Sequence, residues 1–202
     1  MITKEPNKHR SYIGNMWERI GQLQFDFLIT QGLEKPHVLY DIACGSLRAG
    51  IHIIPYLNQG NYCGIEKHDW LISAGTLLEL PQKVYSQQKP ELVISDKFEF
   101  EKFSKSPDFC IAQSLFTHLP VSEIKDCLEK LRAVAKPTTV LFATFFETST
   151  EVKNPNVQSD AQGWRYTLNQ MQLFGKHTGW LLEYIGNWGH PKGQKMLKYT
   201  PV

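Results

Sequence analysis

Apolar positions along this chain follow two periods in turn. Between Ile13 and Leu33, Met16, Ile20, Leu23 and Phe27 return at helical spacing, and Trp17 and Leu28 widen the stripe. Gly32 is placed to end that helix in the left-handed conformation. An apolar run, Val38 to Tyr40, then reaches Asp41 and breaks into small residues through Gly45, the pattern of a buried strand entering a tight turn. The chain resumes as a helix from about Leu47, which Pro55 ends or kinks. A second strand, Tyr62 to Glu66, again closes on an acid. Asp69 is expected to cap a helix that runs to Leu80 and stops at Pro81.

Two further strands are expected at Glu91–Ser95 and Asp108–Ser114. A helix from Ser122 carries Ile124, Cys127, Leu128, Leu131 and Val134 at helical spacing, and the β-branched and aromatic run Thr139 to Phe146 reads as a fifth strand. Residues 147–163 are polar and irregular, a lid segment by composition, and a helix is expected from Trp164 to His177 with Gly179 at its end. The closing runs Trp180–Gly186 and Gln194–Thr200, joined by a turn containing Gly and Pro, read as an antiparallel hairpin. Residues 1–11 read as a loose arm, and 1–33 as arm plus helix.

Strands alternating with helices predict an α/β fold: one Rossmann-like, doubly wound, mostly parallel seven-stranded sheet with helices on both faces. The C-terminal hairpin adds one antiparallel strand. At 202 residues a single domain over 1–202 is expected.

Composition narrows the function. The net charge is +2 and the 22 Lys and Arg are scattered, which argues against nucleic acid. The start is polar, without the apolar core of a secretory signal, and no apolar run approaches the length of a membrane span, so a cytoplasmic protein is expected. Cys44, Cys63, Cys110 and Cys127 form no CxxC pair and read as buried thiols rather than a disulfide framework or a zinc site, and no metal is expected.

The turn after the first strand carries the candidate chemistry. Strand, small-residue turn and helix start describe the first crossover of a nucleotide-binding sheet, where backbone N–H groups can meet a ligand closely. Gly-x-Gly-x-x-Gly of a dinucleotide reductase fits at one glycine of three, since its positions are Ala43, Gly45 and Arg48. An acid followed by Gly-x-Gly-x-Gly also fits at one glycine, with Ala43 and Leu47 in the other places, but Asp41 supplies the acid.

From Val38 to Thr200 the sequence resembles the class I S-adenosyl-L-methionine (SAM)-dependent methyltransferases, most closely the small methyltransferase-domain proteins. Tyr40-Asp-Ile-Ala-Cys-Gly45 resembles the cofactor loop, Gly64-Ile-Glu66 the second-strand acid, and Asp108-Phe-Cys-Ile-Ala-Gln-Ser-Leu-Phe-Thr-His-Leu-Pro120 the fourth strand and its turn. The closing hairpin is similar too. The resemblance implies SAM as cofactor and a small-molecule acceptor, with O- or N-methylation as the reaction. It implies that Glu66 binds the ribose diol and that Lys67 lies beside it. Asp41 would orient the amino-acid end over Ala43, Cys44 and Gly45, and Arg48 would face the carboxylate. Asp96, flanked by Ser95, Lys97 and Phe98, would meet adenine, and Gln113 and Ser114 the methionine part.

Simpler readings stand beside these: a solvated Glu66, an Asp41 that caps its own turn, a helix-start Arg48. Two departures bear on the loop. Ala43 is tolerable only if its φ stays negative, and Leu47 would open the loop or loosen its hold on the cofactor.

Methyl transfer is an in-line displacement that needs alignment and, for an oxygen nucleophile, a base. His118 in the fourth-strand turn is a candidate base or a structural cap; Glu147 after the fifth strand and His190 in the hairpin turn are candidate substrate contacts or bases. Tyr12, Trp17, Trp164, Tyr166 and Trp188 are candidate pocket walls. Two other readings stay open: a SAM-binding methyltransferase-like protein without catalysis, and a nicotinamide-dependent reductase. Oligomeric state is not legible.

Overall fold

Leu39–Ile42 (β1) and Tyr62–Glu66 (β2) are buried at every position, the acids Asp41 and Glu66 included. The computed structural model describes residues 7–202. They divide into two compact units, one up to Asp96 and one from Lys97 to Val202.

In the first unit β2 lies between β1 and Glu91–Ile94 (β3), all three parallel, with Leu39 opposite Tyr62 and Cys63 opposite Glu91. Trp17–Thr30 (α2) buries Trp17, Ile20, Gly21, Gln24 and Leu28, one helical stripe. It ends as predicted: Gly32 takes φ +94°, its N–H donates to Ile29 O, and the Leu33 N–H donates to Leu28 O. Gly50–Tyr56 (α3) starts three residues later than expected, because Leu47 is not helical.

Two expectations for this unit are corrected. Lys8–Tyr12 (α1) is a helix where a loose arm was expected, held by a buried His9; residues 1–6 of that arm lie outside the described residues. Asp69 is not a cap but the first residue of Asp69–Ala74 (α4), whose N-cap is His68. That helix continues as a π-helical turn, Gly75–Glu79, and past Pro81 the chain forms Gln82–Gln88 (α5). No α5 residue is buried, so it leaves no apolar stripe to read.

In the second unit Phe109–Ala112 (β4) pairs in parallel with Val140–Glu147 (β5), followed outward by Lys195–Pro201 (β8) and Trp180–Asn187 (β7), the order being β4-β5-β8-β7. β8 is antiparallel to both neighbours, so β7 runs parallel to β5, the hairpin geometry expected. Val121–Val134 (α6) buries Ile124, Cys127, Leu128 and Leu131. Arg165–Tyr166 (β6) pairs with the end of β5, and Leu168–His177 (α7) starts four residues later than predicted. Thr167 fixes that start: its hydroxyl accepts from Gln170 N while the Gln170 carboxamide accepts from Thr167 N, a reciprocal cap legible as Thr-x-x-Gln.

Candidate functional site

The turn after β1 repeats one backbone state at every second residue: Ala43 has φ +60°, Gly45 +58° and Leu47 +64°. The expectation for Ala43 is therefore overturned, since its φ is not negative; Leu47 takes the left-handed φ that a glycine would adopt there. An L-residue in this region costs about 1–2 kcal/mol, so something must hold each one. Cys44 N–H donates to Ile65 O (3.1 Å), Gly45 N–H to the Glu66 carboxylate (3.1 Å) and Leu47 N–H to Cys44 O (3.1 Å). Leu47 is 0% exposed, and burying a leucine is worth about 1.5–3 kcal/mol, enough to outweigh its strain. The half-buried Ala43 has no such return. Ala43→Gly is expected to stabilise the protein by about 0.5–1 kcal/mol, the relieved strain less the extra freedom of glycine when unfolded; urea unfolding measures it.

Room for the Leu47 side chain comes from Gly75 at the start of the π-helical turn. A Cβ there would lie 2.7 Å from both C and O of Ser46 and 2.9 Å from Leu47 Cγ. Backbone atoms cannot step aside as a side-chain tip can. Gly75→Ala is expected to destabilise by about 1–3 kcal/mol through overpacking, read as a lowered Tm; an unchanged Tm would contradict this packing.

Glu66, 6% exposed, closes β2 and faces the loop. One carboxylate oxygen accepts from Gly45 N (3.1 Å), the other from His68 N (3.0 Å). Each oxygen can accept a second hydrogen bond. Asp41 is buried and accepts from the Tyr62 hydroxyl at 2.7 Å. Burial pushes its carboxyl up to about 6, with Glu66 adding to the rise while Tyr62 and Arg48 oppose it. Burial brings the Arg48 guanidinium down to about 10, and the charge of Asp41 offsets part of that. Arg48 Nη1 donates to the carbonyls of Ile13 (3.0 Å) and Asn15 (3.2 Å). Burial also drives the Cys44 thiol upward, so it is a packing group in the loop rather than a thiolate. Lys67 is half-buried directly after Glu66.

The Arg48 contacts tie the segment after α1 to the loop. Ile13 Cγ2 lies 3.2 Å from where a Cβ on Gly45 would sit. Tyr12 hydrogen-bonds His68 Nε2 through its hydroxyl (3.0 Å) and packs edge-on against Trp70 (5.1 Å). Further back, Arg10 forks onto Glu79 with two 2.7 Å bonds and stacks over Trp17, while His9 meets the same carboxylate. Although burial alone would raise the Glu79 carboxyl, the hydrogen bonds from Arg10 and His9 hold it below its usual value. Ile13, His68 and Trp70 were missed in the sequence. A signal existed only for the last two, as ring-bearing residues next to a strand-end acid.

At the end of β3, Ser95 N–H donates to Glu66 O (2.9 Å), extending the ladder, and Asp96 is exposed. In the second unit, Lys97 is exposed and its carbonyl accepts from Lys130 Nζ. Phe98 takes φ +51° and stacks on Phe100.

The second unit gathers its candidates around Gln194, which no sequence motif singles out. Gln194 Oε1 accepts from Thr144 Oγ1 (2.7 Å) and Gln113 Nε2 (3.2 Å), and its Nε2 donates to Ser114 Oγ (2.7 Å). Ser114, at φ +64°, also donates its N–H to Thr144 Oγ1 (2.7 Å). The Gln113 carboxamide lies 3.2 Å from His190 Nε2, and the Lys192 N–H donates to His190 Nδ1 (3.3 Å). His190 is 5% exposed and stacked on Trp188, whose Nε1–H donates to Gln194 O. The fold thus joins the turn after β4 to the β7–β8 hairpin. His118 is in neither group: its Nδ1 is 2.8 Å from the carbonyls of both Ser159 and Gln162, which places the proton on Nδ1 and leaves Nε2 the acceptor. These bonds fasten the irregular segment before β6. Glu147 is the last residue of β5 rather than one beyond it, and accepts from the Tyr184 hydroxyl at 2.6 Å.

Four of the candidate pocket walls are buried side chains. Trp17, Trp164, Tyr166 and Trp188 are 9% exposed or less, and Tyr166 donates its hydroxyl proton to Leu119 O; Tyr12 is exposed. Among the described residues no helix is long and apolar enough to cross a membrane, and no group of three or more His, Cys, Asp or Glu could hold a metal ion.

No family model matches the sequence. Solved structures match over nearly its whole length. Magnesium protoporphyrin IX methyltransferase from Synechocystis PCC 6803 with bound S-adenosylhomocysteine (SAH) aligns at TM-score 0.64 and 13% identity, over 96% of this chain and 92% of its own. A SAM-bound amino pentose methyltransferase from Micromonospora echinaspora aligns at TM-score 0.68 and 11% identity, over 95% and 94%. Human N-acetylserotonin methyltransferase in complex with SAM aligns at TM-score 0.69 and 10% identity, over 99% of this chain and 57% of that longer one. Together with the alternating strands and the antiparallel C-terminal pair, this likeness identifies the fold: the chain is an α/β protein with the Rossmann-like fold of the class I SAM-dependent methyltransferases.

Proposed function

We propose that this protein binds SAM at the loop after β1 and transfers its methyl group to a small-molecule acceptor. The observation that carries the reading is the loop itself. Its left-handed backbone at residues 43, 45 and 47 is the geometry a Gly-x-Gly-x-Gly turn would take, kept here by two non-glycine residues despite strain, with a buried acid at the end of the next strand. At Ala43 no burial offsets the strain, and strain that packing does not repay is what supports a functional reading of this turn.

The residues present fit an adenosyl cofactor. Glu66 retains acceptor capacity on both oxygens for the two ribose hydroxyls, as its chemistry and its two backbone bonds allow. Ser46 Oγ, buried in the loop, has no hydrogen-bond partner among the described residues. Asp41 is a buried acid suited to an ammonium group, and we assign it the amino-acid end. Ala43, Cys44 and Gly45 supply backbone, and Lys67, Ser95, Asp96, Lys97, Phe98, Gln113 and Ser114 are proposed as further cofactor contacts. Arg48 holds the residue 13–15 segment against the loop, and we assign it the cofactor carboxylate as well.

SAM supplies an electrophilic methyl group; the chain's own work is to orient and, where the acceptor is a hydroxyl, to take a proton. Of the three candidates, only His118 gives its Nδ1–H to backbone carbonyls and so leaves Nε2 to accept a proton, and we assign it the base. His190 has contacts at both ring nitrogens and is read as a positioning residue, and Glu147 as an acceptor contact. The acceptor is a small molecule, by analogy with the matched methyltransferases. Incubation with methyl-labelled SAM and a panel of hydroxyl, amine and thiol acceptors tests this. A labelled product supports transfer; SAM binding without any product favours the non-catalytic reading.

A further inference from the structure

A cavity of about 520 Å³ in the second unit is lined by Phe146, Glu147, Thr148 and Ser149 at the end of β5, by Arg165 in β6, by Lys192 and Gly193 in the hairpin turn, and by Lys195 at the start of β8. That volume suits a small molecule. Three of its side chains are cationic and one is acidic, and the one acid, Glu147, already accepts from the Tyr184 hydroxyl. The cations come from two distant stretches of sequence, so nothing in their spacing announces them.

Two of them are set in place before any ligand arrives. Asn154 holds both backbone groups of Arg165, accepting from its N–H (3.3 Å) and donating to its carbonyl (2.7 Å), and the guanidinium lies over the Phe146 ring at 5.4 Å. Lys195 is fixed in the ladder between Phe145 and Asn187. Among the described residues neither Arg165 nor Lys195 is ion-paired with a carboxylate. A stacked guanidinium with a fixed backbone presents its donor fork at small entropic cost, which favours planar or tetrahedral oxyanions. Lys195 also follows Gln194 directly, so the cavity wall and the polar network around Ser114 share the start of β8.

We propose that this cavity binds an anionic group, a carboxylate or a phosphate, carried by the acceptor. The proposal rests on the methyltransferase reading for the word acceptor, but the anion site stands or falls by itself. Glu147, on the same wall, then meets the uncharged or amine-bearing part of that molecule.

The probes are phenyl phosphate and benzoate, each against its neutral counterpart, phenol and benzamide, titrated into the full chain saturated with SAH and followed by ligand-observed NMR. Both anions are expected to bind at least about tenfold more tightly than their neutral partners, the scale of one charge-assisted contact; the tighter of the two identifies the group. Arg165→Gln and Lys195→Gln are each expected to weaken the anions by a similar factor while Tm and SAM affinity stay unchanged. Equal binding of anion and neutral partner, or anion binding indifferent to both substitutions, overturns the proposal. Discriminating anion binding in a protein that gives no heat with SAM or SAH would uphold the site and overturn the cofactor reading instead; the anions are then titrated into the protein alone.

Discussion

Glu66→Ala is expected to weaken SAM binding about tenfold to a hundredfold, the roughly 1–3 kcal/mol of one or two hydrogen bonds to a buried carboxylate. The loss has two parts. The ribose hydroxyls lose their proposed acceptor, and the N–H groups of Gly45 and His68 lose the carboxylate that shapes the loop around them. Glu66→Gln separates the two, since its single carbonyl can still accept from one N–H while its amide opposes the other. An intermediate affinity is expected, and calorimetric titration of both variants measures it. Wild-type affinity in Glu66→Ala would place the ribose elsewhere.

Stability should fall as pH rises from about 4 to about 6. The folded-state carboxyl of Asp41 titrates near 6, above its ordinary 3.8, chiefly because it is buried. In that window the folded protein holds a proton that the unfolded chain releases, so stability from this group is greatest at the acid end and lost by neutral pH. A rise of this size corresponds to a free energy on the order of 3 kcal/mol. Asp41→Asn, which stays neutral, is expected to flatten this slope and raise stability at pH 7; urea unfolding of both proteins at pH 5 and 7 reads it out. An ammonium group seated beside Asp41 would favour the ionised form, so SAM affinity in the wild type should rise over the same interval. A parallel pH slope in wild type and Asp41→Asn would remove Asp41 as its source. Such a residue is unfavourable for the fold alone, which is the expected signature of a group kept for binding.

Much of the architecture was legible because strands and helices here are buried in the way their periods say. β1 and β2 have no exposed position, and α2 and α6 bury single stripes. The elements that escaped lack such a pattern. α5 buries nothing, α1 is held by the contacts of His9 and Arg10 with Glu79, some seventy residues away, and β6 is two residues long. The α7 start is marked by the Thr167 and Gln170 cap rather than by apolar spacing, which is why periodicity alone places it too early.

For the site, acids at strand ends could be picked out one by one, but their partners could not. Nothing in the local sequence says that Leu47 would bury itself against Gly75 and so preserve a glycine-like turn, or that Arg48 would reach back to Ile13 and Asn15. Gln194 likewise looks like any polar residue before a strand until Thr144, Gln113 and Ser114 converge on it. Long-range convergence of polar groups is set by topology, which a one-dimensional pattern does not carry.

Isothermal titration of the wild-type protein with SAM, and with SAH in parallel, tests the central claim most directly. Binding at a single site, lost or weakened in Glu66→Ala while that variant remains folded, is the predicted result. Absence of heat from either ligand at high micromolar concentration, with the protein folded, would contradict it.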